Sequence, residues 1–285
     1  MDILGYSSYG WLPCALYLLL LVILTLRTKG STESKLFSGF IQAAIFVILL
    51  IHGVQLHNSV FTDQGFVFGF AQDLSLIAWV GLAFYWFQSW FLPISSLRWL
   101  ALIFAMICAF LPTVFPGALI SPKAVSDPWF KAHFIVATMA VGLLSLAAMH
   151  AMLMSIQDRA LHRQLAIIPN SRPAQWLEDL PPLMTMESLL FNLLYVGFVL
   201  LSLTVFSGLL FSQTLFGRPL VFDHKTVFAL LSWILFAGLL IARWRVGLRG
   251  RMAVRWVLSA YTALLLAYVG SRFVMEVILQ KSVNS

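Results

Sequence analysis

WFKAHFIVATMAVGLLSLAAMHAMLMSI, residues 129–156, carries one charged side chain, Lys131, at its start and none after it. A bilayer's hydrocarbon core is crossed by a helix of about 20 mainly apolar residues, so this run reads as a transmembrane span, Trp129–Ile156. Its two histidines, His133 and His150, fall near opposite ends. At a helical rise of 1.5 Å per residue, about 25 Å separates them, so they cannot share one site.

Similar runs flank it on both sides. Before it come Trp11–Leu26, Leu36–Leu56, Phe68–Trp90 and Leu97–Phe115; after it come Met186–Phe211, Thr226–Ala242 and Val254–Leu279. The expected fold class is therefore all-α, a polytopic transmembrane bundle of about eight spans. Composition agrees: 61% of the residues are hydrophobic, 10% are charged, and the mean hydropathy is +0.92. Soluble domains carry roughly 45–50% apolar and about 25% charged residues, so lipid has to cover this chain.

The net charge of +7 does not point to nucleic acid, because the basic residues sit in short gaps between spans and form no aromatic-interleaved polar face. Their distribution gives the orientation. Twelve fall on one side: Arg27, Lys29, Lys35, Arg98, Arg159, Arg163, Arg172, Arg243, Arg245, Arg249, Arg251 and Arg255. Six fall on the other: Lys123, Lys131, Arg218, Lys225, Arg272 and Lys281. The richer side is expected in the cytoplasm, which puts both termini outside a cell inner (cytoplasmic) membrane. Tryptophans and tyrosines such as Trp11, Trp90, Trp129 and Trp244 gather near span ends, at the level of the lipid headgroups. A first span preceded by Asp2 and no basic residue is expected to be retained rather than cleaved as a signal peptide.

Chemistry in such a chain is sought among ionisable groups near the membrane. Cys14 and Cys108 lie inside apolar runs without CxxC spacing and read as packing residues. No GxSxG, HExxH or P-loop occurs, so no enzymatic site is identified. Four of the six histidines, His52, His57, His133 and His224, collect toward the outer face. Neutral imidazole suits haem iron and other metals. Asp223 is a good N-cap for the span that follows His224, and Asp73 and Glu187 also stand near helix starts. The polar stretch Gln157–Thr185, with four prolines, is the expected contact for a membrane or cytoplasmic protein partner, or else a flexible connector.

Spans five to eight resemble the cytochrome c assembly membrane-protein family, which includes haem-handling components of cytochrome c maturation and the HemX-like proteins. Trp129-Phe130-Lys131-Ala132-His133 is similar to its histidine-opened span. Phe222-Asp223-His224-Lys225-Thr226-Val227-Phe228 resembles its tryptophan-rich box, and Arg249-Gly250-Arg251 its basic turn. The likeness covers roughly Gly65 to Leu279, dividing the chain into an N-terminal two-helix segment, 1–64, and a six-helix assembly-like domain, 65–285. Phe222 and Phe228 stand where the family has tryptophan, and Ile241 and Leu279 where it has histidine, departures that fit the HemX-like branch. The resemblance implies haem (heme) bound near the outer face without synthase activity. His133 and His224 would be its iron ligands, with Trp129, Phe222, Asp223 and Phe228 beside it. A haem-free membrane adaptor on the same fold is the alternative; a transporter or transport accessory is a third.

Overall fold

The computed structural model describes residues 10–27, 35–62, 65–91, 94, 97–120, 128–162, 180–216, 224–274 and 278. Each apolar run is a helix. The first half holds α1 (Leu12–Arg27), α2 (Lys35–Val60), α3 (Phe70–Gln88) and α4 (Leu97–Val114). The second half holds α5 (Pro128–His162), α6 (Leu183–Phe216), α7 (His224–Val246) and α8 (Gly250–Phe273). Among the described residues, 7 helices are long and apolar enough to cross a membrane, and α1 adds the shorter apolar stretch Leu12–Leu26. The bundle read from the sequence is the fold, and the chain is a multi-span membrane protein.

Burial explains why α5 organises the bundle. Every residue from Ala140 to Ala151 is buried, as expected of a helix that is apolar all round and enclosed by others. It packs on α3, α4, α6 and α8. Small residues let membrane helices approach closely. A Cβ on Gly142 would stand 2.6 Å from Val80 Cγ1, and one on Gly197 of α6 would stand 2.6 Å from Leu144 Cδ2. By contrast, Leu18, Leu50, Val54, Ile234 and Ile241 on α1, α2 and α7 are each more than half exposed. That outward apolar surface needs lipid as its solvent.

Pro128 opens α5, where its fixed φ and missing N–H cost nothing. The helix then continues past Ile156 to His162, where the sequence places the start of a loop. A small antiparallel strip, also unforeseen, caps the opposite end of the bundle. It joins β1 (Phe61–Thr62), β2 (Gly65–Phe68) and β3 (Ala118–Ile120), with Phe66 opposite Ile120 and Phe68 opposite Ala118. Gly117 enters β3 at φ +80, and a Cβ there would come within 2.9 Å of Gln72 Oε1. Gln72 in turn donates to the Pro116 carbonyl at 2.8 Å, tying the strip to the first turn of α3.

Contacts at the helix ends confirm the alternation of the spans. At one end Gln55 of α2 donates to the Gly10 carbonyl, Asp73 of α3 meets Arg272 of α8, and His133 of α5 meets Ser207 of α6. At the other, Gln42 of α2 meets Ser89 at the exit of α3, Asp158 of α5 meets Arg251 of α8, and Glu187 of α6 meets Arg243 of α7. One end is thus rich in histidine and aromatic residues, the other in arginine. Trp11, Trp90, Trp129 and Trp244 are each more than half exposed at helix ends, where amphipathic rings meet the headgroups.

Candidate functional site

The aromatic end is assembled around buried charge. Arg272, in the last turn of α8, places Nε 3.0 Å from Asp73 Oδ2 of α3, a carboxylate whose side chain is 8% exposed. The same guanidinium lies over the Phe68 ring, 4.9 Å from its centroid, and Lys225 sits 5.5 Å from the Tyr268 ring. Phe70 meets Phe115 and Phe273 at 5.0 and 5.2 Å. Cations over ring faces and a paired carboxylate are the arrangement by which charge is tolerated in an apolar setting.

His133 stands one turn into α5 and is half-buried. Its Nδ1 lies 2.8 Å from Ser207 Oγ on α6, and that hydroxyl donates to the Thr204 carbonyl at 3.1 Å. A hydroxyl has a single proton; when that proton goes to Thr204, the oxygen accepts from Nδ1–H. The tautomer so selected leaves the lone pair on Nε2, the form in which imidazole binds a metal, and the hydrogen-bonded serine holds the ring's orientation. Close packing adds to this, because Gly208 leaves room for the ring where a Cβ would stand 3.4 Å from His133 Cε1. Trp129 lies one turn before His133 on the same helical face and is 66% exposed.

The second expected ligand has a different setting. His224 is the first residue of α7 and is exposed, with half-buried Phe228 one turn on along the same face. Lys225, its neighbour in the chain, is close enough to act electrostatically on His133. The structure therefore brings Trp129, His133, His224 and Phe228 to one end of the bundle, with His133 held by Ser207 of α6. Phe222 and Asp223 lie outside the described residues.

The remaining histidines separate into structural and surface groups. His52 is 1% exposed, and both its ring nitrogens are engaged, Nδ1 by Tyr17 Oη at 3.1 Å and Nε2 by Ser75 Oγ at 2.9 Å. It links α1, α2 and α3 and is not an outer-face ligand. His150 ties α5 to α6 by donating from Nε2 to the Met186 carbonyl at 3.0 Å. His162 sits at the arginine end beside Asp158. His57 is exposed and stacks near Phe61, with ring centroids 5.0 Å apart.

His57 also lines a feature that sequence reasoning missed. A groove of about 430 Å³ runs between α2, α3 and the first turns of α5, walled by Phe61, Phe68, Trp79, Phe130 and Phe134 and edged by Lys131. It lies on the face of α5 opposite His133. Its residues come from three helices and two strands, so no local spacing announces it; an aromatic-rich turn around His57 was the one available signal.

Among the described residues, no group of three or more His, Cys, Asp or Glu is arranged to hold a metal ion. A bare divalent ion asks for about four to six ligands. Iron in a porphyrin has its four equatorial positions filled by the macrocycle and asks the protein only for axial ligands. A single pre-oriented imidazole near aromatic rings fits the second demand and not the first.

The family profile described as "Cytochrome C assembly protein" matches residues 8–279, reaching nearer the N-terminus than the motifs alone indicate. Among curated proteins the chain is similar to the "Uncharacterized 28.8 kDa protein in nifR3-like 5'region" of Azospirillum brasilense, 36% identical over 53% of each chain. It is 29% identical to the "Inner membrane protein YpjD" of Escherichia coli (strain K12), over 61% of this chain and 62% of that one. It is also 28% identical to the "Cytochrome c biogenesis protein CcsA" of Synechocystis sp. (strain ATCC 27184 / PCC 6803 / Kazusa), over 30% of this chain and 26% of that one. The matches to the first two span 53% and 62% of those relatives' lengths.

Proposed function

Because the chain belongs to the cytochrome c assembly protein family, we propose that it is a haem-handling protein of the bacterial inner membrane. It binds haem near the outer face as cargo for cytochrome c biogenesis or tetrapyrrole metabolism and has no synthase activity of its own. The observation that carries this is the His133–Ser207 pair, which leaves the Nε2 lone pair free for donation to a metal at a half-buried position beside Trp129. Bound haem would supply an iron that takes imidazole nitrogen as a ligand. His133 and His224 would hold the iron, with Trp129 and Phe228 beside the ring and Phe222 and Asp223, the two residues before His224 in the sequence, as further contacts. Lys225 and Lys131 stand at the same end, where a propionate would find a cation. The arginine end faces the cytoplasm, and both termini lie outside. A relative's printed description as an inner membrane protein supports the choice of membrane, and the excess of basic residues at the arginine end supports the orientation.

The test is an absorption spectrum of the detergent-purified chain with added haem, wild type beside His133→Ala. Wild type is expected to develop a Soret band shifted from that of free haem, and His133→Ala to lose it. No shift in wild type would reject haem binding.

The groove at His57 supports a second reading. Its five aromatic walls and Lys131 rim offer a flat apolar seat on the other face of α5. If the ring lies there, His57→Ala abolishes the band and His133→Ala leaves it intact.

A further inference from the structure

At the arginine end, the last turns of α5 and the first turns of α6 and α8 enclose a cavity of about 440 Å³. Its floor is apolar, with Met154, Leu183, Val254 and Leu258, and its rim is charged, with Asp158, Arg159, Glu187, Arg251 and Arg255. Each rim carboxylate is already neutralised. Asp158 Oδ2 accepts from Arg251 Nε, with His162 Nδ1 3.3 Å from Oδ1. Glu187 Oε1 lies 2.6 Å from Arg243 Nη1 and 3.5 Å from Arg249 Nε.

Arg159 and Arg255 are left over. Among the described residues, neither has a carboxylate within ion-pair distance. They reach the cavity from different helices, α5 and α8, so two guanidiniums outside the described ion pairs border one apolar floor. Guanidinium forks match the oxygens of a phosphate. Met184, on the cavity wall, is 74% exposed, so an apolar side of the cavity is open at the surface. A free phosphate would use the rim and leave the floor bare, whereas a phospholipid uses both.

We propose that this cavity is a binding site for an anionic phospholipid of the leaflet at the arginine end. Arg159 and Arg255 hold its phosphate, and the Met154, Leu183, Val254 and Leu258 floor takes the upper part of an acyl chain. The site is independent of the haem reading and sits at the far end of α5 from His133.

The test is native mass spectrometry of the full-length chain released from nanodiscs containing equal phosphatidylglycerol and phosphatidylcholine. Wild type is expected to retain phosphatidylglycerol selectively, and millimolar inorganic phosphate not to displace it. Arg159→Gln and Arg255→Gln, made singly and together, are expected to lose that selectivity severalfold with a melting temperature near wild type. Arg245→Gln, an exposed cation at the same end that does not line the cavity, is expected to keep it. Equal retention of both lipids by wild type, displacement by inorganic phosphate, undiminished selectivity in both single variants, or an equal loss in Arg245→Gln would each overturn the proposal. If the double variant does not fold, the two single variants decide.

Discussion

The two ends of the bundle differ in how much of their paired charge is left open to solvent. At the aromatic end Asp73 and Arg272 are sunk among Phe68, Phe70 and Phe273, their side chains 8% and 26% exposed. At the arginine end Arg249 and Arg251 reach their carboxylates from largely open positions, 63% and 56% exposed, and only Arg243–Glu187, 19% and 14% exposed, is sunken among the described pairs there. A sunken pair is weakly stabilising while intact but costly to break, because the surviving partner stays unpaired in a poor solvent for charge. An open pair is screened by water and contributes little. The first end is therefore built for precision around a half-buried histidine. The second presents surplus positive charge to whatever meets it.

Breaking the sunken pair should give the largest effect. Arg272→Leu is expected to destabilise the detergent-solubilised protein by about 3–5 kcal/mol, and Asp73→Leu/Arg272→Leu by less than that single change. Thermal melts followed by intrinsic fluorescence check both. A double variant as unstable as the single would mean that shape, not charge, organises this end. Next in size is Gly142→Leu, which drives a side chain into Val80 at the α3–α5 contact and should cost about 1–3 kcal/mol.

Ser207→Ala sharpens the comparison within the aromatic end itself. It removes the group that orients His133 without touching the helix, so haem affinity should fall about 10–100-fold while the melting temperature stays near wild type. A haem titration reads the first and a melt the second; unchanged affinity would show that Ser207 is only a packing neighbour. The smallest effect is expected at the arginine end, where Arg251→Gln should change stability by less than about 1 kcal/mol. A large loss there would erase the proposed contrast.

The bundle was legible from sequence because the signal for a span is a long run of one character, and Ala132–Ile156 has no charge to interrupt it. What polarity marks, however, is the exit from lipid and not the end of a helix. Gln157, Asp158 and Arg159 read as loop, yet α5 carries on to His162, and Asp158 there meets Arg251 of α8. The strip of β1, β2 and β3 escaped notice since strands of two to four residues carry no period, and β3 comes from the far side of two helices.

At the site, residue types were readable but partners were not. His133 stood out, whereas Ser207, which gives its ring a direction, is 74 positions away in the chain. His52 looked like a member of the outer cluster, and only packing places it between Tyr17 and Ser75. Asp73 looked like a helix-start carboxylate, and its pairing with Arg272 depends on the first turn of α3 meeting the last turn of α8.

Whether His133 Nε2 binds iron can be measured by chemical replacement of that one ring. His133→Gly, with haem added, should show the spectrum of weakly associated haem, and exogenous imidazole should restore the wild-type Soret band. A glycine variant that keeps the wild-type band without imidazole, or that imidazole fails to restore, would contradict the assignment.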